Sequence, residues 1–315
     1  MQSKEKKIPL INPYLAVICG VVAVSFSAIL IKLSSAPSLV IAFYRLVFTV
    51  IFLAPFALNA NGRTQLKEMS LQEYLWAFGA GTLLALHFAV WIASLNYTSI
   101  ASSTVLVTMQ PLFVISGASI FFHEKLNYIS LFGAGLALLG SIIIGINDFQ
   151  IGGKAVYGDM LAFAGAIFVA GYILIGRKLR KQISLAPYVF IVYSTAALTL
   201  LSFNLLARTP LYPYPALEWV LFVLLAVLPT ILGHTVFNWA LRYVKAAVVS
   251  VSVLGEPVGA TILALIIFNE VPQLLQIIGG MLILFGLYTF INSSKKQNSK
   301  ENNTNHYCES ENSPS

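Results

Sequence analysis

The amino-acid sequence predicts an all-α, polytopic membrane protein: ten transmembrane helices arranged as two inverted five-helix repeats. Three observations carry this prediction. Of 315 residues, 58% are hydrophobic and only 10% charged, with a mean hydropathy of +0.82; soluble domains carry roughly a quarter charged residues. Apolar stretches of about 18 residues or more recur along the chain, each long enough to cross ~30 Å of hydrocarbon as a helix. Finally, the second half repeats the first at a shift of 146 positions, the distance from Pro111 to Pro257. Ala101–Gly140 lies over Ala247–Gly286 without a gap, which also sets Glu124 on Glu270, Gly133 on Gly279 and Gly140 on Gly286. Upstream, Leu86, Val90, Leu95 and Tyr97 fall on Leu232, Val236, Leu241 and Tyr243. A repeat of this length decides architecture before any local signal does.

The ten spans are read over residues 14–33, 38–57, 73–94, 100–122, 127–146, 157–176, 187–206, 217–240, 246–268 and 273–292. None shows the short alternating strands of a membrane barrel. The first follows Lys4, Lys6 and Lys7 and so resembles the front of a signal peptide. It is too long for a secretory apolar core, and no small-residue cleavage pattern follows, so it reads as a retained span. The first repeat takes residues 1–148 and the second 149–292. Residues 293–315 are polar, rich in Asn and Ser, and are expected to form a disordered cytoplasmic tail. Cys19 and Cys308 provide neither a disulfide nor a metal framework.

Basic residues give the spans a direction. With the N-terminus inside, the cytoplasmic segments hold 15 of the 19 Lys and Arg residues, including Arg177, Lys178, Arg180 and Lys181. The outer loops hold Lys32, Lys154 and Arg208, and Arg45 lies alone within a span. That asymmetry is the positive-inside bias, and it places both termini in the cytoplasm. The formal net charge of +7 is thus a topology signal and not a nucleic-acid surface. Five span-lengths separate Pro111 from Pro257. Five is odd, so span nine crosses opposite to span four and the halves are antiparallel copies. Inverted repeats are a hallmark of alternating-access transporters, with a site near the midplane where the repeats meet.

Several motifs in order carry a family resemblance. Span two contains Ala42-Phe43-Tyr44-Arg45. Span four reads Gln110-Pro111-Leu112 and closes on His123-Glu124-Lys125-Leu126. Span six opens with Tyr157-Gly158-Asp159-Met160-Leu161-Ala162, and span nine reads Glu256-Pro257-Val258 and closes on Asn269-Glu270. Over roughly residues 12–292 the chain resembles the EamA-type permeases of the drug/metabolite transporter superfamily. The resemblance implies a plasma-membrane carrier of small metabolites, often an exporter of amino acids or related compounds, with a central cavity lined by the spans that flank the paired prolines. The copies differ in one telling place: span four has Gln110 where span nine has Glu256.

Candidate residues follow from charge and depth. Glu256 lies near the midplane, where an unpaired charge costs at least ~2.5–3.5 kcal/mol on insertion scales. It reads as a cation or amine contact or a proton-coupling carboxyl, with a bond to backbone freed by Pro257 as the structural alternative. Arg45 is shallow enough to snorkel toward the headgroups, and reads equally as a carboxylate contact or a structural pair. Thr230, His234 and Asn238 in span eight, and His87, Trp91 and Ser94 in span three, share helical faces. Such facing polar stripes suit a midplane pocket; interhelical hydrogen bonding is the plainer reading. Pro111 and Pro257 are expected to kink their helices and act as hinges. Glu124 and Glu270 end their spans on opposite sides, where their charge opposes the helix dipole; they read as structural or gate-forming, each pairing with a basic neighbour or capping an adjacent helix. Asp159 reads as a helix cap. Ala162, Ala166 and Ala170, and Gly133 with Ala137, are small-residue faces that pack within one chain or between two copies in a homodimer.

The leading function is secondary transport of a small metabolite, an amino acid or related compound, with protons as the candidate coupling ion. A multidrug or cation efflux carrier is the alternative. No phosphate-binding loop is present, no cofactor or metal ligand set is implied, and no nucleic-acid partner is expected. An intramembrane enzyme would need a nucleophile and base at matched depth or a Gly-x-Ser-x-Gly elbow, and the sequence has neither. The partners are the bilayer and a small-molecule substrate.

Overall fold

The computed structural model describes residues 9, 11–146, 153–269 and 271–311. The described residues hold ten helices long and apolar enough to cross a membrane: Pro13–Leu33, Ser38–Ala57, Leu71–Ser94, Ser102–Phe122, Tyr128–Gly145, Lys154–Leu179, Leu185–Leu206, Ala216–Ala240, Ala246–Phe268 and Leu274–Asn298. Spans one and three start on side-chain caps. Asn12 and Ser70 accept from the first-turn amides of spans one and three, and Ser70 forms a capping box with Glu73. A short helix, Ala60–Glu68, bridges spans two and three.

Span one packs on spans eight and nine, while span six packs on spans three and four. Spans two and seven meet each other, as do spans five and ten. Under the 146-residue correspondence these contacts map onto one another. The crossing of spans five and ten shows the relation atom by atom. A Cβ on Gly133 would strike the carbonyl of Gly286, and one on Gly140 would strike that of Gly279; the reverse also holds. Gly133 corresponds to Gly279 and Gly140 to Gly286, so each contact is the two-fold image of the other. The two helices therefore run antiparallel, and the halves are inverted copies. Gly286 also lies against the amide of Ala137, and Ala162, Ala166 and Ala170 are buried inside the bundle. Both small-residue faces are filled within the chain, which leaves neither for a second copy.

Spans four and nine are each broken in the same place. Span four consists of Ile100–Val107 and Gln110–Phe122. Span nine consists of Ala246–Ser252, a 3₁₀ turn at Val253–Gly255, and Glu256–Phe268. The prolines do not kink a continuous helix, as the sequence suggested. Each opens the second half-helix, where its missing N–H would have had no partner in any case. Both half-helices end on a left-handed residue, His123 at φ 53° and Asn269 at φ 56°.

Span eight departs from its copy. Residues Ala226–Thr235 form a π-helix, whereas span three is α-helical from Leu71 to Ser94. Pro229 lies in the widened stretch, where it supplies no amide donor and its ring crowds the carbonyl of Leu225. That carbonyl accepts instead from the Thr230 hydroxyl at 2.8 Å, and the Thr235 hydroxyl repeats the five-residue reach to the Thr230 carbonyl at 3.1 Å.

Two further readings of the sequence are changed. The segment beginning at residue 293 continues as helix in Leu274–Glu311. Ser293 donates to Asn127, Ser294 shares a bond with Ser130, and Gln297 donates to the Lys125 carbonyl, so the polar side chains are held by the start of span five. Asp159 is not a cap. It sits inside Lys154–Leu179 and accepts from Thr98 and Ser102, tying span six to the start of span four. Glu270 lies outside the described residues.

Candidate functional site

The breaks in spans four and nine face each other across a cavity at the meeting of the two halves. Spans one, three, four, six, eight and nine all line it. Its free volume is about 50 Å³, room for a few water molecules, so this conformation is contracted around the site. Six of the residues picked from the sequence line it: His87, Trp91, Gln110, His234, Asn238 and Glu256. The repeat is legible in the lining, for Gln110 faces its counterpart Glu256, Trp91 its counterpart Phe237, and Val107 its counterpart Val253.

Polar atoms here are left with unfilled bonding capacity. The Glu256 carboxylate takes no hydrogen bond or ion pair from any described residue, and only its backbone is used, the amide donating to the Val253 carbonyl and the carbonyl accepting from Ser25 at 3.4 Å. It does not bond to backbone near Pro257. Gln110 Oε1, Trp91 Nε1 and Asn238 Oδ1 are buried without a partner among the described residues. Buried polar atoms are almost always satisfied in folded proteins, so a cluster of unsatisfied ones around one cavity makes it the candidate site. His87 Nδ1 lies 3.0 Å from the Gly165 carbonyl. A carbonyl can only accept, so Nδ1 carries the proton and Nε2 is the free position. The His87 ring stacks on Trp91 at 5.9 Å and stands 6.5 Å from that of His234.

Arg45 does not snorkel. It is fully buried between spans one, three and eight, donating from Nε to Thr230 at 2.6 Å and from Nη1 to Ser27 at 3.1 Å. Its guanidinium lies 4.2 Å from the Phe88 ring centroid. Its Nη2 has no partner among the described residues. Two hydroxyls and an aromatic face from three different spans hold it inside the protein, where depth along span two alone pointed to the headgroups. Ser27 is both an Arg45 partner and part of the cavity wall, so a fixed positive charge sits one side chain behind the cavity.

The sequence reading missed Tyr172 and Ser27. Tyr172 accepts from Asn238 Nδ2, which also donates to the His234 carbonyl at 2.8 Å and reaches Tyr193 at 3.4 Å. A lone tyrosine in an apolar run carries no signal of its own. Ser27 was findable, because spans one and six are copies and Ile173, its counterpart, also lines the cavity.

The two ends of the molecule differ. At one end Glu124 pairs with Arg177 at 2.7 Å, the one ion pair among the described residues, and its second oxygen accepts from the Ala246 amide at 3.1 Å. Arg177 also donates to the Leu241 carbonyl at 2.6 Å, and Lys245 donates to the Lys125 carbonyl at 3.0 Å. These bonds join the ends of spans four, six and eight to the start of span nine. Toward the other end lies a vestibule of about 590 Å³, lined by Ala28, Lys32, Asn96, Thr104, Pro257 and Gln276 among others. Ala28, Thr104 and Pro257 each stand within a helical turn of residues that line the inner cavity.

Comparison with known proteins agrees with this architecture. Residues 11–146 and 156–292 each match the model of the EamA-like transporter family. The chain is 23% identical over 277 residues to an uncharacterized transporter of Archaeoglobus fulgidus, covering 86% of this chain and 93% of that protein. It is 25% identical over 204 residues to the pseudopaline exporter CntI of Pseudomonas aeruginosa, covering 65% and 70%. One solved crystal structure superposes with a TM-score of 0.74 at 19% identity, over 90% of this chain and 98% of the other; at that identity the likeness concerns the fold.

Proposed function

The chain belongs to the EamA-like transporter family, and on that premise we propose that it exports a small polar metabolite, an amino acid or a related compound, across the plasma membrane by alternating access. It is a multi-pass membrane transporter and not an enzyme. The observation that carries the finer reading is the unfilled bonding capacity around one cavity at the repeat interface. Glu256, Gln110 and Asn238 offer acceptors for an amine, Trp91 offers a donor, and Arg45 supplies positive charge behind Ser27. A molecule with both an amine and an acid group completes that set. The orientation rests on the positive-inside bias, which makes the Glu124 end cytoplasmic and the vestibule extracellular. The P. aeruginosa relative, named an exporter, supports the outward direction.

Inverted copies provide two mirror-related states of comparable energy. Here the cytoplasmic end is closed by Glu124 and Arg177 while the outer vestibule leads toward the site. The contracted cavity is then the stage after release. Metabolite profiling of medium from cells overproducing and lacking the protein tests the reading: one amino compound should rise in the first and fall in the second. A profile unchanged in both would end it. Protons are the proposed coupling ion, since Glu256, His87 and His234 share the cavity. Efflux from proteoliposomes that ignores an imposed pH gradient would remove them. A cation-efflux carrier is the second reading, favoured by the aromatic groups Trp91, Tyr172 and Phe237 beside the carboxylate. It predicts that quaternary ammonium compounds compete with the metabolite.

A further inference from the structure

Two arginines from the end of span six hold the end of span eight. Arg177 donates to the carbonyl of Leu241 at 2.6 Å, and Arg180 reaches back to the carbonyl of Asn238 at 3.0 Å. The two reaches cross: the deeper arginine holds the later carbonyl. Arg180 also donates to the Ile183 carbonyl. Its side chain is 1% exposed, and among the described residues no carboxylate lies within salt-bridge distance of it. Burial pulls its guanidinium down to about 10, which leaves it charged at neutral pH. A buried cation bonded only to carbonyl oxygens is an expensive way to finish a helix, because water or an exposed lysine satisfies such carbonyls at less cost.

What separates this contact from an ordinary helix end is what lies on either side of it. Asn238 is a cavity residue whose amide bonds Tyr172 and whose Oδ1 has no partner among the described residues. Arg177, one turn before Arg180, is the residue that Glu124 holds in the cytoplasmic closure. One pair of arginines therefore touches both the closure and the backbone of the site.

We propose that Arg180 is a positioning residue that couples the Glu124–Arg177 closure to the cavity through the Asn238 carbonyl. While Glu124 holds Arg177, the crossed grip fixes the end of span eight and presents the Asn238 amide to the cavity. When the closure parts, the grip on the end of span eight is released and the Asn238 amide is repositioned as the site opens to the cytoplasm. The inference rests on the alternating-access reading.

The test uses the full-length protein with Cys19 and Cys308 replaced by serine and Val253, in the cavity wall, replaced by cysteine. A membrane-impermeant thiol reagent is applied to the cytoplasmic face of inside-out vesicles. Glu124→Gln should raise the labelling rate about tenfold, and Arg180→Gln should do the same. The double variant should label no faster than either single one, as expected of two residues in one device. Arg180→Lys keeps the charge but loses the planar fork and should raise labelling about threefold; it serves if the glutamine variant does not fold. A merely structural arginine would lower the melting temperature without moving the labelling rate. Unchanged labelling in folded Arg180→Gln or Arg180→Lys, or rates that multiply in the double variant, overturns the role of Arg180 alone. A cysteine unreactive from both faces, with and without Glu124→Gln, sinks the alternating-access reading and this inference with it.

Discussion

Spans four and nine are one design used twice, and they differ where chemistry is needed. Each breaks before its proline, restarts on the residue ahead of it, and ends on a left-handed residue 146 positions from its counterpart. Geometry has been kept between the copies; charge has not. The restart residue is neutral Gln110 in one and Glu256 in the other, and both face the same cavity. On the proposed reading, the repeat supplies the mechanics of the bundle and the departures from it supply recognition.

The comparison breaks first at Glu256. Glu256→Gln makes the two restarts chemically alike and should lower transport of the metabolite roughly 10- to 100-fold, the worth of a hydrogen bond to a charged group. Folded yield should be unchanged. Exchanging the pair, Gln110→Glu with Glu256→Gln, should recover part of that loss; no recovery would show that the two positions are not related through the site. Next come the glycines at the crossing of spans five and ten. Gly133→Ala and Gly279→Ala each drive a Cβ into backbone and should cost about 1–3 kcal/mol. Because the positions are two-fold images, thermal unfolding in detergent should give equal losses; unequal ones would deny the symmetry at the axis.

Smaller effects sharpen the same contrast. His123→Gly should stabilise by about 1 kcal/mol, whereas Asn269→Gly should gain only a few tenths, since asparagine already tolerates the left-handed region. Pro111→Ala and Pro257→Ala should change stability by less than about 1 kcal/mol and leave transport near its original rate, because a proline at a helix start gives up no hydrogen bond. A large loss of transport in either would restore the prolines as hinges.

Some of this was legible in the sequence because the signal was local or repeated. The spans, the repeat, its inversion and the paired prolines can be read from residue order. Of the cavity residues, His87, Trp91, His234 and Asn238 were found by helical spacing, Glu256 by charge and depth, and Gln110 by its mismatch with Glu256 across the repeat. Arg45 was misplaced because its position depends on Ser27, Phe88 and Thr230, which come from three other spans. The π-helix was invisible for a related reason. Pro229 announces a lost donor, but whether a helix kinks, breaks or widens depends on what takes up the freed carbonyl, here the hydroxyl of Thr230. Tyr172 was silent until Asn238 was seen to donate to it.

The closing contact at Glu124 has a consequence for the resting state of the molecule. Its partner Arg177 corresponds in the other copy to Ile31, which can accept no carboxylate. On the alternating-access reading, a carrier made of identical halves would idle equally in both orientations. On that reading this one is biased toward the orientation that the Glu124–Arg177 bond closes, because the position equivalent to Arg177 is Ile31, which cannot donate to a carboxylate. On that reading the preference between orientations is set at positions such as Arg177 and Ile31, and it can be reset there without touching the residues that line the cavity.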